Sequence, residues 1–122
     1  MKSSGRRDIC ERTFHFAARI VRLCQTLDEE RGVNRLIANQ LLRSGTSIGA
    51  NAEEAQAGQS RADFISKYAI AQKEARETHY WLRLLIETKI IHENKLSGLL
   101  DECNQIIAIL TTIIKNTKQN ER

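Results

Sequence analysis

The sequence predicts an all-α protein: an antiparallel up-down-up-down four-helix bundle. Three observations carry this. The 122 residues contain no proline and only six glycines, and are rich in the strong helix formers Leu, Ala, Glu, Lys and Arg and in Ile. Apolar residues recur at helical spacing in four segments, at about 8–30, 34–57, 61–91 and 95–115, with short connections. Finally, the stretch 40–57, QLLRSGTSIGANAEEAQA, has helical spacing but almost no bulk after Leu42. Interior glycine costs a helix about 1 kcal/mol relative to alanine, so Gly45 and Gly49 imply a neighbour too close for side chains.

The first helix is expected from Asp8, whose spacing to Glu11 fits a capping box, with Gly32 as its stop. Ile9, Thr13, Phe16, Ala17, Ile20, Leu23, Cys24 and Leu27 form its core stripe, and Phe14 and Val21 a second, narrower strip. The second helix carries the small-residue stretch and ends at Gly58. Ser60 caps the third helix, with Asp63 in the capping-box position. Phe64, Tyr68, Ala71, Ala75, Thr78, Leu82 and Leu85 then alternate spacings of four and three, the pattern of a left-handed packing seam. A break near 91–94 precedes the fourth helix, whose stripe is Leu96, Leu99, Leu100, Cys103, Ile106, Ile107, Leu110 and Ile114. The chain from Asn116 onward is expected to fray.

One domain spanning 1–122 is the natural count at this length. No apolar run reads as a membrane span or a leader. Cys10, Cys24 and Cys103 lack metal-site spacing and read as reduced thiols, which points to the cytoplasm.

Glu74 borders the core face of the third helix and Glu77 lies further round. A buried carboxylate needs a partner, because leaving one unpaired costs several kcal/mol. Arg43, Ser44, Ser47 and Asn51 are therefore expected to bond Glu74 and Glu77 and fix the register of the second and third helices. Catalysis is not expected. No Glu-x-x-His repeat or phosphate loop occurs, and His15, His79 and His92 do not converge. No catalytic residue, metal, cofactor or small-molecule substrate follows from the pattern.

Antiparallel helices in even number put both termini and the second turn at one end. Lys2, Arg6, Arg7, Arg61, Lys67, Lys115, Lys118 and Arg122 would gather there, diluted by Asp8, Asp63 and Glu121. The other end, with Asp28, Glu29, Glu30, Arg31, Glu87, Lys89 and Glu93, is mixed. The net charge of +4 is thus expected to be polarised toward phosphate contact.

The residues from Leu41 to Leu85 resemble the bacterial four-helix-bundle family whose founding members are encoded in intervening sequences of the large-subunit ribosomal RNA gene. The resemblance is carried by Arg43-Ser44, Ser47-Ile48, Ala50-Asn51, Glu54-Ala55, Ser60, Asp63-Phe64, Lys67, Ala71, Lys73-Glu74-Ala75, Glu77-Thr78 and Trp81-Leu82. Ala52-Glu53 departs from it, where relatives often have Ile-Ala. The resemblance implies a homopentameric ring, and kinship with the accessory proteins of diversity-generating retroelements, which look like partners of a reverse transcriptase and its RNA.

Phe14, Val21, Ile70, Trp81 and Leu84 lie beside the core stripes, where exposed apolar strips would mark the oligomer interface. Two function classes follow. One is a non-catalytic oligomer contacting RNA or DNA phosphates; the other is a protein-interaction scaffold without nucleic acid. No aromatic platform for reading bases is evident.

Overall fold

The computed structural model describes residues 5–27 and 32–120, with side chains described from Ile9 within the first helix. Among the described residues there are four α-helices and no strand: α1 (Gly5–Leu27), α2 (Val33–Gln56), α3 (Arg61–Glu87) and α4 (Glu93–Gln119). Each packs on its neighbours around a square. α1 meets α2, α2 meets α3, α3 meets α4, and α4 closes on α1 through the thinnest of the four seams.

Cross-helix contacts run in opposite chain directions at every seam, which makes the bundle antiparallel throughout. Gly49 faces Thr13 while Gly45 faces Ile20. Ser44 meets Thr78 and Gln56 meets Tyr68; Ala75 meets Cys103, Gln72 meets Thr111, and Arg61 meets Asn120. The predicted stripes supply the interior. Ile9, Thr13, Phe16, Ile20, Leu41, Ile48, Ala52, Tyr68, Ala71, Ala75, Thr78, Leu82, Leu85, Cys103, Ile106 and Leu110 are essentially fully buried. Ala17, Leu23, Phe64, Leu100, Ile107 and Ile114, also assigned to the stripes, are only half-buried.

Several boundaries differ from the sequence reading. α1 begins at Gly5, so Asp8 lies inside the helix and is not its cap; the expected end near residue 30 lies outside the described residues. α3 stops at Glu87, with Lys89 in the left-handed region (φ 62°). The amides of Ile90 and Ile91 both return to the Leu85 carbonyl, and the two side chains pack on the core edge. Their apolar character predicts more helix, but it serves a turn whose side chains pack against the core. α4 runs on to Gln119, because Thr117 is buried and bonds the Ile113 carbonyl at 2.7 Å. α4 also contains an 18-residue window of mean hydropathy 1.2, long and apolar enough for a membrane span by composition, yet Leu96, Leu99, Ile106 and Leu110 form the fourth wall of the core.

Ser60 caps α3 as its sequence spacing implied, accepting from the Asp63 amide at 3.0 Å. At α4 the cap is His92, whose Nδ1 accepts from the Asn94 amide at 3.1 Å. Histidine gave no such signal in the sequence, since Ser, Thr, Asp and Asn dominate that position.

Candidate functional site

The expected polar network divides into three parts. Arg43 reaches both carboxylates of α3: one guanidinium nitrogen donates to Glu74 Oε1 at 3.1 Å and the other to Glu77. The Trp81 indole N–H also donates to Glu77, at 3.1 Å. Ser44 does not join them. It is fully buried and lies 2.9 Å from the Thr78 hydroxyl, itself 2.8 Å from the Glu74 carbonyl oxygen. Each hydroxyl has one proton, so Ser44 donating to Thr78 and Thr78 to the carbonyl satisfies both. Ser47 and Asn51 also miss the carboxylates: Asn51 Nδ2 donates to the Ser47 carbonyl at 2.9 Å and to its hydroxyl at 3.1 Å. Axial level does not separate them, since the Ser44–Thr78 and Gln56–Tyr68 pairings set Ser47 near the level of Glu74; the longer Arg43 side chain takes both carboxylates, and Asn51 turns back onto its own helix.

The terminal pole holds Arg61, Lys67, Lys115 and Lys118 together. Arg61 donates to the Asn120 carbonyl at 2.9 Å, which ties the start of α3 to the end of α4. Lys115 and Lys118 are exposed and Lys67 is half-buried. Arg6 and Arg7 sit in the first turns of α1 on the same pole, and Lys2 lies outside the described residues. The end of α2 brings Glu53 and Glu54 there as well, which the sequence reading did not count, so the pole is less positive than expected.

A second basic cluster lies near the opposite end, where a mixture of charges is expected from the sequence. A cleft of about 510 Å³ opens along the α1–α4 seam. Arg19, Arg22, His92 and Lys95 line its rim and Leu23, Ile91, Leu96 and Leu99 its floor. Arg19 crosses above Gly98, its guanidinium 3.3 Å from where a Cβ would stand. Nearer the terminal pole the same seam is closed by Arg12, which grips Glu102 at 2.6 and 3.0 Å and Gln105 at 2.9 Å. The available signal was Arg19 and Arg22, one turn apart, but only the α3–α4 turn brings Lys95 and His92 opposite them.

Of the apolar residues set aside for an interface, Phe14 is 65% exposed and Val21 and Ile70 are just over a third exposed. Trp81 and Leu84 are half-buried and pack against the chain's own core, the indole held by Glu77. Val33, Leu36 and Tyr80 are exposed and were not anticipated.

The thiols are protected. Burial, aided by Glu102, pushes Cys103 up to about 12, and its Sγ donates to the Ala75 carbonyl at 3.3 Å. Burial and Glu53 raise Cys10 against an opposing hydrogen bond with Tyr68. His79, half-buried, is lowered by desolvation and by Arg83.

Comparison with known proteins fits this architecture. The sequence profile of the family described as 23S rRNA-intervening sequence protein matches residues 6–112. A crystal structure of a protein of unknown function from the S23 ribosomal protein family of Bacteroides thetaiotaomicron superposes with a TM-score of 0.85. The two share 43% identity, covering 92% of this chain and 99% of the other. No curated protein matches. The four-helix architecture, the match over residues 6–112 and the close structural relative together place this chain in the 23S rRNA-intervening sequence protein family.

Proposed function

We propose that this protein is a non-catalytic, cytoplasmic accessory protein that binds nucleic acid, RNA in particular, through backbone phosphates as a ring-shaped homo-oligomer. The observation that carries the proposal is the Arg61–Asn120 contact, which sets Lys67, Lys115 and Lys118 at one pole with the start of α1. In a cyclic assembly every such pole faces the same side, so a modest charge per subunit multiplies. The names of the relatives refer to ribosomal RNA and to a ribosomal protein family, which supports RNA over DNA as the ligand. The resemblance also implies kinship with retroelement accessory proteins, and on that kinship rests the proposal of a homopentamer with a reverse transcriptase as protein partner.

Anisotropy with a labelled single-stranded RNA across a salt series tests this. Binding is expected to weaken linearly in log–log form, with a slope of about −0.7 per phosphate contacted. Lys115→Glu with Lys118→Glu should flatten that slope while light scattering shows the same oligomer. Salt-insensitive binding, or none at low salt, would overturn it. A second reading, a protein-interaction scaffold, is favoured by Phe14, Val33 and Leu36, each more than 60% exposed.

A further inference from the structure

We infer that the α1–α4 cleft is a docking groove for an acidic, amphipathic helix of a partner protein. The side chains of Arg19, Arg22 and Lys95 make no hydrogen bond or ion pair among the described residues, and no described carboxylate lines the cleft. Three cations thus stand around an aliphatic floor that no described carboxylate lines. Lys95 also sits in the first turn of α4, where a positive charge opposes the helix dipole. His92 stands at the rim with its Nδ1 taken up at the cap, 3.1 Å from the Asn94 amide and 3.0 Å from the Asn94 side-chain oxygen.

The chemistry of the floor selects the ligand class. It is built from Leu23, Ile91, Leu96 and Leu99 with no aromatic ring, so it offers a nucleobase no stacking surface. Leu23 and Ile91, half-buried over the buried Leu96 and Leu99, are the part of the floor open to aliphatic side chains. Arg19 and Arg22 stand one turn apart on α1, the separation that pairs with carboxylates one turn apart on a facing helix. Guanidinium binds carboxylate through two parallel hydrogen bonds. The cleft opens on the α1–α4 seam, the thinnest in the bundle, on the side of Arg19 away from the Arg12–Glu102 closure. This groove is separate from the terminal pole and holds whether or not RNA binds there.

The test uses a labelled synthetic peptide of about four helical turns, with Leu on one face and Glu flanking it, titrated onto the full chain. Controls are a Lys-for-Glu peptide and a scrambled peptide of the same composition. Saturable binding of the acidic peptide alone is expected, weakened at least tenfold by Arg22→Glu and by Arg19→Glu, both exposed and outside the core. The Lys-for-Glu peptide should gain affinity for Arg22→Glu. Equal binding of acidic and scrambled peptides, or no effect of either variant, would overturn the groove. An Arg22→Glu chain that loses RNA affinity but not peptide affinity would reassign the cleft to nucleic acid. One that changes its mass in light scattering would reassign it to a second copy of the chain. A thermal melt of each variant separates these results from loss of fold.

Discussion

A Cβ placed on Gly49 would stand 3.3 Å from the backbone carbonyl carbon and oxygen of Thr13, so α2 lies against the main chain of α1 itself. One turn earlier, a Cβ on Gly45 would meet Ile20 Cγ2 at 2.8 Å. The bare stretch of α2 is therefore a bed for α1, whereas its polar edge bonds α3. Gly45→Ala and Gly49→Ala should each lower stability by roughly 1–3 kcal/mol, although alanine is the better helix former. Gly98→Ala is the control: it meets only the exposed tip of Arg19 and should be neutral or stabilising by up to about 1 kcal/mol. Denaturant midpoints compare the three directly.

The Ser44–Thr78 pair sets the α2–α3 register from inside. Thr78→Val keeps the shape but strips Ser44 of its 2.9 Å partner, leaving only a long contact of 3.4 Å to the Leu41 carbonyl. A loss of about 1–2 kcal/mol is expected. In a double-mutant cycle with Ser44→Ala the two losses should not add; strict additivity would mean the hydroxyls do not interact.

The Arg43 bridge should matter less. Its side chain is 49% exposed, against 12% for Glu74 and 30% for Glu77, so solvent screens the pair. Glu74→Gln and Arg43→Ala should each lower the melting temperature modestly, by roughly 0.5–1 kcal/mol at the midpoint, and less at high salt. An unchanged melt for both would remove the bridge from the account of stability.

Acid should destabilise the fold partly through His79. With its folded pKa below the ordinary 6.5, the histidine adds nothing at pH 8, where both states are neutral. As the pH falls through 6.5 the unfolded chain takes up the proton first and gains. The difference between unfolding midpoints at pH 7.5 and 5.5 should shrink in His79→Gln; an undiminished difference would assign the acid sensitivity elsewhere.

Cys24 and Cys103 should resist iodoacetamide at pH 8 in the native state and react on unfolding, because the thiolate is the nucleophile and burial withholds it. Cys10, half-buried and also raised, should react slowly. Mass spectrometry of a native time course reads the order. Rapid native labelling of Cys103 would show that α3 and α4 separate readily.

The sequence by itself determined the four helices, their order and the side each turns inward. Those follow from periodicity and from spacing that puts Ile9, Phe16, Ile20, Tyr68, Ala75 and Leu82 on continuous faces. It also marked Gly45 and Gly49 as a contact surface, since interior glycine is otherwise unfavourable in a helix. Tertiary structure alone decided which neighbour uses that surface, because α1 and α3 are both antiparallel to α2 and periodicity does not rank them. It likewise sent Ser44 to Thr78 rather than to the carboxylates, and closed Ile90 and Ile91 into a turn. Bringing Lys95 and His92 opposite Arg19 and Arg22 was also its decision. Axial stagger and the path of the α3–α4 turn fix those pairings, and both depend on how four helices share one core rather than on any one helix's pattern.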